Sequence, residues 1–121
     1  MKKPKVLVVD DEPDICEILG VFLEDNGYHF LQATDGKQAI AKVEKEKPEI
    51  VILDVAMPKM SGLEVLRRIK KDSKETNVIL ITAYQDAEKV IEAFHLGADD
   101  LIFKPFNFKY LRKVLSSKIS G

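Results

Sequence analysis

The chain has 121 residues, with 19 lysines and arginines against 20 aspartates and glutamates and a net charge of −1. At 45 % hydrophobic and 32 % charged residues it can bury one ordinary globular core, and an even charge balance argues against nucleic-acid binding by bulk charge. One cysteine, Cys16, excludes an intrachain disulfide and a cysteine metal cluster, and no apolar run approaches the roughly 18–20 residues of a membrane span.

The start Met1-Lys2-Lys3-Pro4 is basic, but the apolar run behind it stops after Val9. That is too short for a signal peptide, so a cytoplasmic location without membrane contact is expected. Residues 6–9 form a continuous, valine-rich run, which predicts a strand buried on both faces. Ile15, Ile18, Leu19, Phe22 and Leu23 then repeat at helical spacing, with Pro13 in the first turn and Gly27 as the stop. Residues 28–33 predict a more mixed strand, suited to a sheet edge.

Ala39, Ile40 and Val43 mark a second helix ending before Pro48, and residues 50–53 a second fully apolar strand. Leu63, Leu66 and Ile69 mark a third helix, with Ser61 and Glu64 spaced as a capping box. Residues 78–81 are again a buried strand. Val90, Ile91 and Phe94 mark a fourth helix stopped at Gly97, residues 101–103 a short fifth strand, and Phe108, Leu111 and Leu115 a fifth helix capped by Asn107. Strand and helix alternate throughout with no linker. This predicts an α/β domain over residues 1–121, with one parallel sheet and helices on both faces.

Ligands of such sheets sit beyond the carboxyl ends of the strands. The first strand is followed there by Asp10, Asp11 and Glu12, the third by Asp54, the fourth by Thr82 and the fifth by Lys104 and Pro105. Thr34, Asp35 and Gly36 follow the second as a turn. Taken singly, each has an ordinary explanation: Asp11 or Asp14 as a helix cap, Thr82 as a strand residue, Lys104 as a solvated lysine. Taken together they place three aspartates on one rim, where their mutual repulsion calls for a compensating cation. Carboxylate oxygens suit Mg²⁺, which accepts one or two of them together with phosphate oxygens. A lysine and a hydroxyl can hold a phosphoryl group, and an aspartate can accept one as an acyl phosphate. His29 and His95 have no partner at ligand spacing, Cys16 reads as a small buried hydrophobe, and the charged run 42–47 as a solvated helix face.

Val-Val-Asp-Asp-Glu at 8–12, the run Asp54-Val-Ala-Met-Pro-Lys-Met-Ser-Gly62, Thr82-Ala83 and Lys104-Pro105-Phe106 together resemble bacterial response-regulator receiver domains, in order and across nearly the whole chain. The resemblance implies a five-stranded, flavodoxin-like sheet in the order 2-1-3-4-5. It implies that Asp54 accepts phosphate from a phosphohistidine on a sensor histidine kinase or phosphotransfer protein. Asp10, Asp11, Asp54 and the backbone carbonyl of Ala56 would hold Mg²⁺, Asp10 acting mainly through water, while Thr82 and Lys104 hold the phosphoryl oxygens. The Lys104–Pro105 bond would be cis.

A protein of this kind is a signalling switch that catalyses its own phosphotransfer and autodephosphorylation. Its partner-binding face, made by the fourth helix, fifth strand and fifth helix, speaks to a downstream output domain or protein. One departure stands out. Leu101 occupies the place where the family usually carries a switching aromatic. Ala56 and Tyr84 stand at the two positions beside the path of the hydrolytic water, which implies a long-lived phosphoaspartate. A flavodoxin would need a hydroxyl- and glycine-rich phosphate loop where this chain has Asp10-Asp11-Glu12. A haloacid-dehalogenase-type phosphatase would need an aspartate where it has Ala56.

Overall fold

A computed structural model describes residues 3–57, 62–83 and 87–119. Ten elements alternate along it. They are β1 (Lys5–Val9), α1 (Pro13–Asp25), β2 (His29–Ala33), α2 (Gly36–Glu46), β3 (Ile50–Asp54), α3 (Gly62–Asp72), β4 (Asn77–Thr82), α4 (Ala87–His95), β5 (Asp100–Phe103) and α5 (Phe108–Ile119). All strand pairs are parallel and the sheet order is β2-β1-β3-β4-β5, as the resemblance implies.

The apolar runs are explained by two cores, one on each face. Leu7, Val9, Val51, Leu53, Val78 and Leu80 point to one side and pack with Ala39, Val43, Val65, Leu66, Ile69 and Ala93 of α2, α3 and α4. Val6, Val8, Ile50, Ile52, Ile79 and Ile81 point to the other and meet Cys16, Leu19, Leu23, Leu111, Val114 and Leu115 of α1 and α5. Successive strand residues alternate faces, so a strand covered on both sides must be apolar at every position. β2 is buried only in part, as its mixed sequence and edge position require.

The ends of the elements follow local chemistry. Gly27 and Gly97 close α1 and α4 with φ of +86° and +105°, where a side chain would be strained. Asn107 Oδ1 accepts hydrogen bonds from the backbone N–H of Lys109 and Tyr110, capping α5 as expected. Ser61, expected to cap α3, lies outside the described residues.

Four helix residues depart from their apolar spacing. Ile18 is 50 % exposed, Ile91 62 %, Phe94 43 % and Phe108 38 %. In α1 the buried stripe is instead Cys16, Leu19, Gly20 and Leu23. The helix rolls onto its small residues because the Phe30 ring of β2 presses against Gly20, where an added Cβ would sit 2.6 Å from a ring carbon. In α4 the small residue is Ala93, fully buried with Val90 beside it, and Ile91 and Phe94 turn outward.

Candidate functional site

Parallel strands β1 and β3 are neighbours, with Val9 paired to Leu53. The chain leaves the sheet in opposite directions after them, β1 into α1 on one face and β3 toward α3 on the other. This divergence opens a crevice at the carboxyl ends. Asp10 and Asp54 occupy its floor, at 0 % and 4 % exposure, while Asp11 and Glu12 stand exposed on its rim. One ligand oxygen from each of the four carboxylates falls within 4.8 Å of all the others.

Each buried carboxylate is held by the backbone two residues on. Asp10 Oδ1 accepts the N–H of Glu12 at 2.9 Å, and Asp54 Oδ1 accepts the N–H of Ala56 at 2.9 Å. The other two oxygens face a single cation. Lys104 Nζ lies 3.1 Å from Asp10 Oδ2 and 3.3 Å from Asp54 Oδ2, and 3.4 Å from Glu12 Oε1. The ammonium is a hydrogen-bond donor to Asp54 and Glu12, but it lies off the bonding direction of Asp10 Oδ2. That oxygen, buried, therefore makes no hydrogen bond.

Lys104 is delivered by β5, whose end is tied to β4 through Lys104 N–H and the Thr82 carbonyl at 2.8 Å. Thr82 is itself fully buried at the end of β4, one residue past Ile81, which pairs with Asp54. The Lys104–Pro105 peptide is cis. The ordinary explanations fail here for two residues: the N-cap of α1 is Glu12 with no side-chain cap, and the Lys104 side chain is only 19 % exposed.

The charges perturb one another. Burial raises the Asp10 carboxyl above its ordinary value and the charge of Asp54 adds to this, against the opposing pull of the Glu12 N–H and Lys104. Burial works against the Lys104 ammonium, yet the charges of Asp54 and Asp10 prevail and its pKa is raised. Behind the crevice, the Cys16 thiol donates to the Asp10 carbonyl at 3.4 Å and is pushed up to about 11, chiefly by burial.

A model of the response regulator receiver domain matches residues 6–116. The chain belongs to that family. Sporulation initiation phosphotransferase F of Bacillus subtilis is 38 % identical over 93 % of this chain and 90 % of its own length. The alkaline phosphatase synthesis transcriptional regulatory protein PhoP of the same organism is 39 % identical over 85 % of this chain but only 43 % of the relative. The chain spans about half the length of most curated relatives it matches, 48 % of one and 42 % of another. Among solved structures, Vibrio cholerae chemotaxis protein CheY4 superposes with a TM-score of 0.90 at 35 % identity, covering 97 % of this chain and 99 % of that one.

Receiver domains are phosphorylation switches that bind Mg²⁺ at an acidic pocket, and the acidic pocket of this receiver domain fits a hard cation. Asp10, Asp11 and Asp54 offer carboxylate oxygens to it, and Asp10 Oδ2 is a buried acceptor without a hydrogen bond. The strand-end residues Asp10, Asp11, Asp54, Thr82 and Lys104 all lie at the carboxyl edge, and the structure brings Lys104 together with Asp10 and Asp54. His29 and His95 are exposed and apart from it.

Sequence reasoning missed two features of this receiver domain. Glu12 reaches Lys104 across 92 positions of sequence, and no local signal announces it. Gly62 opens α3 so close to β3 that an added Cβ would meet the Asp54 carbonyl oxygen at 2.5 Å. That glycine was visible as part of the Asp54–Gly62 run, but its steric reason was not. No helix among the described residues is long and apolar enough to cross a membrane.

Proposed function

We propose that residues 1–121 act as one receiver domain whose Asp54 carboxylate accepts a phosphoryl group from a phosphohistidine of a sensor histidine kinase or phosphotransfer protein. One observation carries this reading. Two buried carboxylates from adjacent strand ends share one ammonium, Lys104, in a crevice that also holds a buried oxygen without a hydrogen bond. In the transfer, an Asp54 oxygen attacks phosphorus, the P–N bond breaks, and its electrons return to the imidazole nitrogen, which takes up a proton. Asp10, Asp11, Asp54 and the Ala56 carbonyl would hold Mg²⁺. The ion, when bound, neutralises charge on the phosphoryl oxygens and the carboxylates.

The remaining steps belong to the chain. The N–H of Ala56 orients Asp54. Lys104 follows the charge from the carboxylate to a phosphoryl oxygen, and the Thr82 hydroxyl donates to another. Water attack on phosphorus later releases phosphate and restores the carboxylate, so the domain catalyses its own reset.

Movement of Thr82 biases the face of α4, β5 and α5, where Ile91, Phe94, Phe103 and Tyr110 are exposed for an output domain or protein. Leu101 is half-buried and packs against the core beneath α4, so it transmits the change by packing and without a ring flip. We place this activity in the cytoplasm, with no direct contact to nucleic acid by this domain.

The test is intact mass after incubation with acetyl phosphate and Mg²⁺. Wild type should gain one phosphoryl group and Asp54→Asn none. Asp11→Ala should react more slowly and titrate Mg²⁺ more weakly by calorimetry. Equal phosphorylation of Asp54→Asn would overturn the assignment.

A further inference from the structure

Glu12 occupies an unusual place in this site. Its backbone is committed: the N–H donates to Asp10 Oδ1, and the carbonyl accepts the N–H of Ile15 and Cys16 in the first turn of α1. Its side chain is not committed to the fold. It caps no helix, is 62 % exposed, and has Lys104 as its cationic neighbour at 3.4 Å. The other two carboxylates around that ammonium are buried floor groups. Among the described residues, Glu12 is thus the one acidic neighbour of Lys104 that stands at the mouth of the crevice, where a phosphoryl donor must enter.

We propose that Glu12 is a selectivity residue, which retains Lys104 in the unphosphorylated site and repels small, highly charged phosphoryl donors. The proposal rests on the phosphoacceptor reading above. Among the described residues, a donor entering the crevice meets Asp10, Asp11, Glu12 and Asp54 against Lys104. Asp10 and Asp54 are built into the floor, and Asp11 belongs to the proposed cation site. The Glu12 carboxylate is held at the mouth by Lys104, and its charge falls on the approach of an anion. A small dianion has no contacts beyond the phosphoryl site itself to offset that repulsion. A protein-borne phosphohistidine does, because it docks through a surface far larger than the reacting group.

Charge and structure can be separated. A carboxylate acting through space penalises a dianion more than a monoanion and loses its effect in salt, whereas a packing role does neither. Acetyl phosphate and phosphoramidate supply the two charges at neutral pH. In the first the P–O bond to acetate breaks as the P–O bond to Asp54 forms. In the second a P–N bond breaks and ammonia leaves after taking a proton.

The experiment follows phosphorylation of the wild-type chain and of Glu12→Gln by intact mass, with each donor at saturating Mg²⁺, in low and high salt. Glu12→Gln should speed the reaction with acetyl phosphate by about three- to tenfold in low salt, as expected for one unit charge at a partly solvated site. The gain should be smaller with phosphoramidate and shrink in high salt, and Mg²⁺ affinity should stay within about threefold of wild type. Unchanged or slower reaction, or the same gain with both donors, overturns the proposal while leaving Asp54 as the acceptor. A tenfold loss of Mg²⁺ affinity assigns the carboxylate to the metal and also overturns it. A wild type that gains no phosphoryl group from either donor overturns the reading of the site together with the proposal.

Discussion

Asp10 Oδ2 lies 3.1 Å from Lys104 Nζ and makes no hydrogen bond, although the carboxylate is fully buried. An acceptor in that position has given up its water and received only part of a cation in return, because Lys104 is shared with Asp54 and Glu12. Among the described residues, the site holds more negative charge than Lys104 can neutralise. That arrangement costs stability in the empty site and gives a divalent cation something to repay, which links the fold of the crevice to its use.

Asp10→Asn should therefore stabilise the metal-free protein, by about 1–2 kcal/mol at pH 7.5. The substituted amide keeps a carbonyl oxygen for the Glu12 N–H and removes a charge that burial disfavours. The sign follows from the direction of the shift. The Asp10 carboxyl is raised in the folded protein, so its ionised form costs stability above that raised value. As pH falls through it, the wild type protonates, the cost fades, and the advantage of the amide variant should shrink. With Mg²⁺ the order should reverse, since the wild type gains binding energy that the variant loses. Urea unfolding with chelator and with Mg²⁺ measures both. A less stable variant in chelator would show that Asp10 is well compensated as it stands.

Much of this was legible in the sequence, for identifiable reasons. Strands covered on both faces must be apolar at every position, so β1, β3 and β4 announce themselves. The residues that end or follow parallel strands must lie at one edge, so the positions of Asp10, Asp54, Thr82 and Lys104 are legible in the sequence. The helix faces were less legible. Apolar spacing favoured Ile18, Ile91 and Phe94, but Gly20 and Ala93 decide how close a helix can come to the sheet, and a small residue carries no hydrophobic signal. The contact between Glu12 and Lys104 depends on where two long side chains end, which the order of residues does not encode locally.

Cys16 offers a second check, on the packing behind the crevice. It is fully buried, its thiol donates to the Asp10 carbonyl, and its pKa is pushed up to about 11. At pH 8 only about one thiol in a thousand would be ionised, and that fraction is shielded. Ellman's reagent should leave the native protein unmodified over minutes and react fully after unfolding in guanidinium. Rapid modification at a rate independent of denaturant would show that α1 opens away from the sheet far more readily than its buried stripe of Cys16, Leu19 and Leu23 implies.

The lifetime of the phosphorylated state depends on how a water is aimed at phosphorus. Ala56 donates its backbone N–H to Asp54 Oδ1 at 2.9 Å, so the residue adjoins the proposed acceptor, and it is exposed. A methyl group there cannot orient water. Tyr84, the other position implicated by the family resemblance, lies outside the described residues and is bulky rather than acidic. Hydrolysis should therefore be slow, which suits relaying phosphate or sustaining an output. Ala56→Asn combined with Tyr84→Glu supplies two polar groups able to position the water, as in phosphoryl transfer generally. Decay of the phosphoprotein after removal of the donor should quicken by about tenfold, equivalent to a barrier lower by about 1.4 kcal/mol. Ala56→Asn alone should give part of that gain. Decay as slow as wild type in the double variant would mean that water reaches phosphorus by a path these side chains do not control, and the lifetime would then have to be set by the crevice floor, through Lys104 and Thr82.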